Sequence, residues 1–141
     1  MSRRDDFHYP VRRALEKEGW AITHDPVILT FRDLRLKADL GAERYLAAEK
    51  QGRSVVIEVK DFDTTAMSSE LQKMIGQLQL YEWAIEEQAS DHELFLAISK
   101  KVYDKYVQDK SIAFHAIVER KRINLIVFDE VQEVITQWIK N

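Results

Sequence analysis

Apolar residues recur along this chain with two different periods, and the switch between them marks out the elements. Phe7, Val11, Ala14 and Leu15 keep the 3.6-residue spacing of an amphipathic helix over residues 5–18, and Gly19 supplies a natural stop. Pro10 is tolerable only in a first helical turn, which predicts a start later than Asp6. Glu18 falls seven residues after Val11, inside the apolar stripe, so it either curls back to solvent at the frayed end or has a function. Residues 20–24 and 28–31 read as short strands separated by the Asp25-Pro26 turn signal. Residues 34–50 read as a longer strand, although their alanines leave a helix over 42–50 open. The strand reading lets Gln51-Gly52 turn a hairpin into residues 54–60.

Those residues, Ser54 to Lys60, form a short Val/Ile-rich run that reads as a buried strand. Side chains alternate along a strand, so Val55, Ile57 and Val59 share one face and Val56, Glu58 and Lys60 the other. Ser69–Gln88 is the clearest helix: Ser69 and Gln72 have capping-box spacing, and Leu71, Ile75, Leu78 and Ile85 line one side. Leu94–Ser99 and Ile123–Phe128 are compact apolar strands, residues 100–118 carry a helical pattern, and Val131–Ile139 has ambiguous periodicity. No internal repeat, low-complexity tract or linker interrupts this order. The expectation is a single mixed α/β domain over residues 1–141, with helices packed on a sheet.

Composition narrows the function classes. With 45% hydrophobic and 32% charged residues the chain resembles an ordinary globular protein. No run approaches the roughly 18 apolar residues of a membrane span, and the N-terminus has no apolar signal segment, so a cytoplasmic protein with no membrane partner is expected. The absence of cysteine excludes disulfides and thiolate sites, leaving oxygen or imidazole for any metal. The net charge of −3 is unhelpful for binding nucleic acid, but it is unevenly spread. Residues 82–93 contain five acids and no Lys or Arg, while basic residues gather at Arg3-Arg4, Arg12-Arg13, Lys100-Lys101 and 120–122. A bipolar surface with a DNA-facing side is one reading, and solvated charge is the other.

The chemistry centres on Glu58 and Lys60. Burying either charge alone costs several kcal/mol, so the two must pair, reach water or bind something. Metal-dependent phosphodiester cleavage needs acids to hold a hard cation and a nearby positive group, and this face supplies one of each. The carbonyl of Val59 could add a neutral oxygen. Asp39 is the first candidate for the second acid, with a register difficulty. A two-residue turn at Gln51-Gly52 sets Glu43 opposite Lys60 and Tyr45 opposite Glu58, leaving Asp39 distant unless the strand bends, as Gly41 would permit. Otherwise Glu43 is the second ligand or a salt-bridge partner of Lys60.

An acidic residue followed by Glu-Val-Lys closing a strand, and then a helix, is similar to the PD-(D/E)xK nuclease superfamily with its restriction-endonuclease-like fold. Asp39, Glu58 and Lys60 match that pattern, although Ala38 stands where the motif usually has proline. Gln77 and Tyr81, four apart on one helical face, look like the Gln-x-x-x-Tyr element of its RecB-like branch. A closer match covers nearly the whole chain. Phe7-His8, residues 14–20, 23–26 and 39–43, Ala47-Ala48-Glu49-Lys50, Glu58-Val59-Lys60 and Gln137-Trp138-Ile139 resemble the XisH family, the fdxN element excision controlling factors of cyanobacteria. The resemblance implies an endonuclease-like fold and control of DNA-element excision during heterocyst differentiation, alongside a site-specific recombinase (XisF) and an XisI partner protein.

Other chemistries lack their parts. With four glycines there is no phosphate-cradling loop, the four histidines lack metal-ligand spacing, and no serine sits in a nucleophile elbow. Two readings remain. In one, the chain is a DNA endonuclease or nuclease-fold subunit: Asp39 and Glu58 hold Mg²⁺ or Mn²⁺, with Glu43 and Glu18 as further candidate ligands and Lys60 and Gln77 in support. In the other, it is a non-catalytic regulator of the recombination complex acting through protein contacts, as the acidic face favours. A domain this small offers little surface for spanning two DNA strands, which leaves a homodimer open.

Overall fold

The computed structural model describes residues 3–44, 52–62, 65–88 and 90–141, with side chains from Phe7 onward. In chain order these form α1 (Arg3–Lys17), β1 (Ala21–His24), β2 (Val27–Phe31), β3 (Leu34–Ala38), β4 (Leu40–Arg44) and β5 (Arg53–Val59). There follow α2 (Met67–Glu87), β6 (Glu93–Ser99), the short α3 (Lys100–Val102), α4 (Ala113–Lys121), β7 (Leu125–Asp129) and β8 (Val134–Ile139). A mixed six-stranded sheet runs in the order β1-β4-β5-β6-β7-β8, and β2 and β3 form a separate two-stranded sheet. The expected α/β class is what the chain adopts.

β5, β6 and β7 run parallel at the centre. A strand covered on both faces loses the alternation of a half-exposed one, and β5 accordingly buries Val55 through Val59 without interruption. Beneath one face, α1 brings Val11 and Leu15 against Val55, Ile57 and Val59; on the other, Leu71, Met74 and Leu78 of α2 share a core with Val56 and Leu96. The expected division of β5 side chains between two faces is therefore realised. Each large aliphatic side chain so buried contributes roughly 1.5–3 kcal/mol. Phe62, just past β5, is fully buried and meets Phe114 of α4 edge to face, with ring centroids 4.8 Å apart.

Several boundaries differ from the sequence expectation. α1 begins before Pro10, which lies inside it. The missing N–H costs a hydrogen bond there, but Val11, Ala14 and Leu15, all fully buried, anchor the turns that follow. α2 begins at Met67 rather than Ser69, and no side chain caps it; Gln72 bonds Ser68 instead. The single strand expected over residues 34–50 is two, β3 and β4, broken at Asp39, and residues 45–50 lie outside the described residues. Residues 100–118 divide into α3, a π-helical turn over Tyr103–Val107 and the start of α4. The ambiguous tail is resolved as β8.

Gly41 has a specific packing reason. A Cβ there would come within 2.8 Å of Val27, so only glycine lets β4 pass this close to the start of β2. The bend the sequence allowed at this point appears in the neighbour: β1 slips register between Ile22 and His24, opposite Gly41.

Candidate functional site

Between β3 and β4 a single residue, Asp39, carries the chain from one sheet to the other. Ala38 still pairs with Val27 in the hairpin, whereas Leu40 already pairs with Ile57 of β5. One step beyond that rung lies Glu58, so Asp39 arrives beside the end of β5. Its Oδ2 accepts a 2.7 Å hydrogen bond from the Val59 N–H. This replaces the register expected from a turn at Gln51-Gly52. Arg44 pairs with Arg53, a register that a two-residue turn at Gln51-Gly52 does not allow, and Glu43 faces Ser54 rather than Lys60. Gln51 and Tyr45, on which the earlier register rested, lie outside the described residues.

Asp39 and Glu58 are 7% and 6% exposed. Lys60 follows the last residue of β5, continues the ladder through its N–H to the Ala97 carbonyl, and holds its Nζ 3.7 Å from Glu58 Oε2. On the α2 side, the Tyr81 hydroxyl donates to the Lys37 carbonyl at 2.7 Å and reaches Glu58 Oε1 at 3.4 Å. Burial first, and then the adjacent Asp39 charge, push the Glu58 carboxyl from its ordinary 4.5 up to about 8; Lys60 and Tyr81 act in the opposite sense and do not offset them. The Tyr81 hydroxyl is itself pushed upward, by burial and by the Glu58 and Asp39 charges. Two acids crowded together, one favouring its proton near neutral pH, form a place where added positive charge relieves repulsion.

Gln77 sits one helical turn before Tyr81. Together with Arg35, Leu36, Lys37, Leu80 and Tyr81 it lines a cleft of about 400 Å³ between α2 and β3. Its Oε1 is buried without a hydrogen-bond partner. Glu43 is exposed and stands four residues from Asp39 along β4, roughly 13 Å away at strand spacing. Glu18 accepts a 2.9 Å bond from Trp138 Nε1, and Trp138 packs on the α1 face, the opposite side of the sheet from Glu58 and Tyr81. The structure thus gathers Asp39, Glu58, Val59 and Lys60, places Gln77 nearby, and leaves Glu43 and Glu18 elsewhere. Tyr81 was visible in sequence through the Gln-x-x-x-Tyr resemblance but with no role of its own, and the Lys37 carbonyl carried no signal.

The histidines form no comparable centre. His8 Nε2 lies 2.7 Å from Asp25 Oδ1, and Arg12 donates to Asp25 Oδ2 at 2.6 Å, tying α1 to the turn between β1 and β2. Burial would raise the Asp25 carboxyl, but these two bonds bring it below the usual range.

The donor set at Asp39 and Glu58 is all oxygen, which suits a hard cation and excludes a soft one. Among the described residues no three His, Cys, Asp or Glu side chains converge, so a third protein donor would be a neutral oxygen such as the Val59 carbonyl. Two carboxylates with the rest supplied by water or substrate is the usual manner of holding Mg²⁺, and the residues present fit it.

Fold and site together define an α/β protein with a buried two-carboxylate, one-ammonium cluster where its central strand ends. The chain belongs to the XisH family, whose XisH protein model matches residues 1–136. It is similar to the crystal structure of an XisH family protein from Nostoc punctiforme PCC 73102, with 31% identity over 96% of this chain and 100% of that one, and a TM-score of 0.84. It is also similar to that of a fdxN element excision controlling factor protein from Anabaena variabilis, with 34% identity over 97% of this chain and 100% of that one, and a TM-score of 0.82. No curated protein matches the chain. Among the described residues no helix is long and apolar enough to cross a membrane.

Proposed function

We propose that this protein acts in the control of DNA-element excision and does so as a phosphodiester-cleaving subunit of the PD-(D/E)xK kind. The Anabaena relative, which the chain matches over almost its full length, supports the first half of that reading. The second half rests on one observation: Asp39 is carried out of its own sheet to lie against Glu58, with the Lys60 ammonium 3.7 Å from the Glu58 carboxylate. Asp39 and Glu58 hold Mg²⁺ or Mn²⁺, with the Val59 carbonyl as a further donor. When bound, such an ion supplies Lewis acidity to a phosphate oxygen and lowers the pKa of an attached water. The Val59 N–H fixes the Asp39 carboxylate, and Tyr81, anchored on Lys37, positions Glu58. Lys60 donates to the phosphate or orients the attacking water in a site where burial strengthens its charge. Gln77 offers an unsatisfied amide beside the cluster.

The test is cleavage of single-stranded, duplex and branched DNA with Mn²⁺, in the presence of an XisI-like partner and the site-specific recombinase. Nicking that disappears in Lys60→Ala, while thermal unfolding stays cooperative, supports the reading. No cleavage of any substrate by the wild type refutes the catalytic half.

A second reading has its own observation. Acidic side chains crowd the far end of α2, and among the described residues only part of that charge is met by ion pairs, from Lys121 at Glu82 and Arg32 at Glu87. A regulator without catalysis, docking a basic partner there, keeps its partner complex in Lys60→Ala and loses it on charge reversal at Glu86.

A further inference from the structure

The six-stranded sheet ends on two unequal edges. β1 is only four residues long, and a short edge strand offers little for further pairing. β8 is six residues long, with no charged residue and no proline. It pairs with β7 on one side, and among the described residues no strand lies along the other. Edge strands present a row of unpaired N–H and C=O groups, which natural proteins guard with lysine, proline or a covering element. Here the nearest charges, Glu133 and Lys140, stand just outside the two ends of the strand instead.

Those ends complement each other. Laying β8 antiparallel to a second β8, about a twofold axis between Thr136 and Gln137, brings Glu133 opposite Lys140 and Val134 opposite Ile139. The same register brings Ile135 opposite Trp138 and Thr136 opposite Gln137. Each rung then joins apolar to apolar, polar to polar, or acid to base, the pairings that stabilise neighbouring strands, the last shared with the ties that Glu133 already makes to Arg13 and Lys140 to Glu93. Moving the axis by one residue in either direction sets Glu133 against Trp138 or Ile135 against Lys140.

The faces agree as well. Simple alternation would put Ile135 and Trp138 on opposite sides of the sheet. The register against β7 shifts between Gln137 and Ile135, however, leaving Thr136 as the extra residue, and both Ile135 and Trp138 pack toward α1. An axis perpendicular to the sheet preserves its faces, so Ile135 meets the second copy's Trp138 on the α1 side.

We propose that β8 is a homodimer interface, across which two copies join edge to edge and their two sheets become one. A twofold axis of this kind reverses strand direction. The two Asp39–Glu58 clusters therefore lie at opposite ends of the joined sheet.

Sedimentation at protomer concentrations up to about 100 µM tests the proposal. The expected result is a dimer of the 16.6 kDa chain that Gln137→Lys weakens at least about tenfold, because the change places two lysines beside the axis. Gln137 is exposed, so the fold should be untouched and the circular dichroism unchanged. Should Gln137→Lys fail to fold, cysteine pairing decides, and it is clean because the chain has no cysteine of its own. Under mild oxidation, a mixture of Thr136→Cys and Gln137→Cys proteins should form an interchain disulfide faster than an Ile28→Cys control. A wild type that stays monomeric overturns the proposal, as does a dimer indifferent to Gln137→Lys or a mixture that couples no faster than the control.

Discussion

Replacing Glu58 with glutamine should change how stability depends on pH. In the folded protein Glu58 takes up its proton at about 8, against 4.5 for an unperturbed glutamate. Between those values the folded state holds a proton that the unfolded state has released. The associated stability is fully present below about 4.5 and is lost as pH rises through about 8. Each pKa unit corresponds to about 1.36 kcal/mol, so the whole shift sets a ceiling of roughly 4–5 kcal/mol. Relaxation and water entry around a buried pair bring the expected loss to roughly 2–3 kcal/mol. Glutamine has the same shape, carries no charge, and keeps an N–H that can face Asp39. Glu58→Gln should therefore be nearly flat between about pH 5 and pH 9, while the wild type declines. Urea unfolding at a series of pH values, in chelator, measures both curves. Parallel curves, with the same separation at both ends, would show that Glu58 titrates as an ordinary carboxyl and would refute the reasoning.

The same cluster yields further expectations. Asp39→Ala leaves the buried Val59 N–H without its acceptor, costing roughly 1–3 kcal/mol near pH 5. It also removes the charge that helps hold the Glu58 proton, so the penalty against wild type should shrink toward pH 9 in the same unfolding assay. Tyr81→Phe deprives the Lys37 carbonyl of its donor and should lower the urea midpoint by an amount equivalent to roughly 1–2 kcal/mol. Binding of Mn²⁺ at pH 7 should release about one proton, read by calorimetry in two buffers of different ionisation enthalpy, and Glu58→Gln should release none.

Much of the fold was legible because local pattern and tertiary role agree. The apolar run of β5, the period of α2 and the compact strands β6 and β7 each declare both their type and their buried side. The misreadings came where a local signal was overruled by something distant. Ser69 and Gln72 have the spacing of a cap, but the helix already begins at Met67. Pro10 reads as a helix start, yet burial downstream carries α1 through it. At the candidate site the residue types and the alternation that aims Glu58 at α2 could be read from sequence. The meeting of Asp39 with Glu58 was expected from the motif resemblance but not from the register. It depends on an interruption of two strands that look continuous, and Gln51-Gly52 argued for a register that kept those residues apart. Tyr81 was marked by the Gln-x-x-x-Tyr resemblance, but its contact with Glu58 could not be read until its hydroxyl was located.

Asp39 stands at the joint between two sheets that share no ladder, and this gives the hairpin mechanical leverage over the carboxylates. β3 runs without a break from the hairpin tip at Arg32 and Asp33 to Ala38, the residue before Asp39, and the Tyr81 bond to Lys37 is a fulcrum near its inner end. The outer end is itself fastened to α2, by Arg32 to Glu87 and by Phe31 against Trp83. The placement of Asp39 beside Glu58 therefore depends on how the hairpin seats on that helix as well as on the ladder of the central sheet.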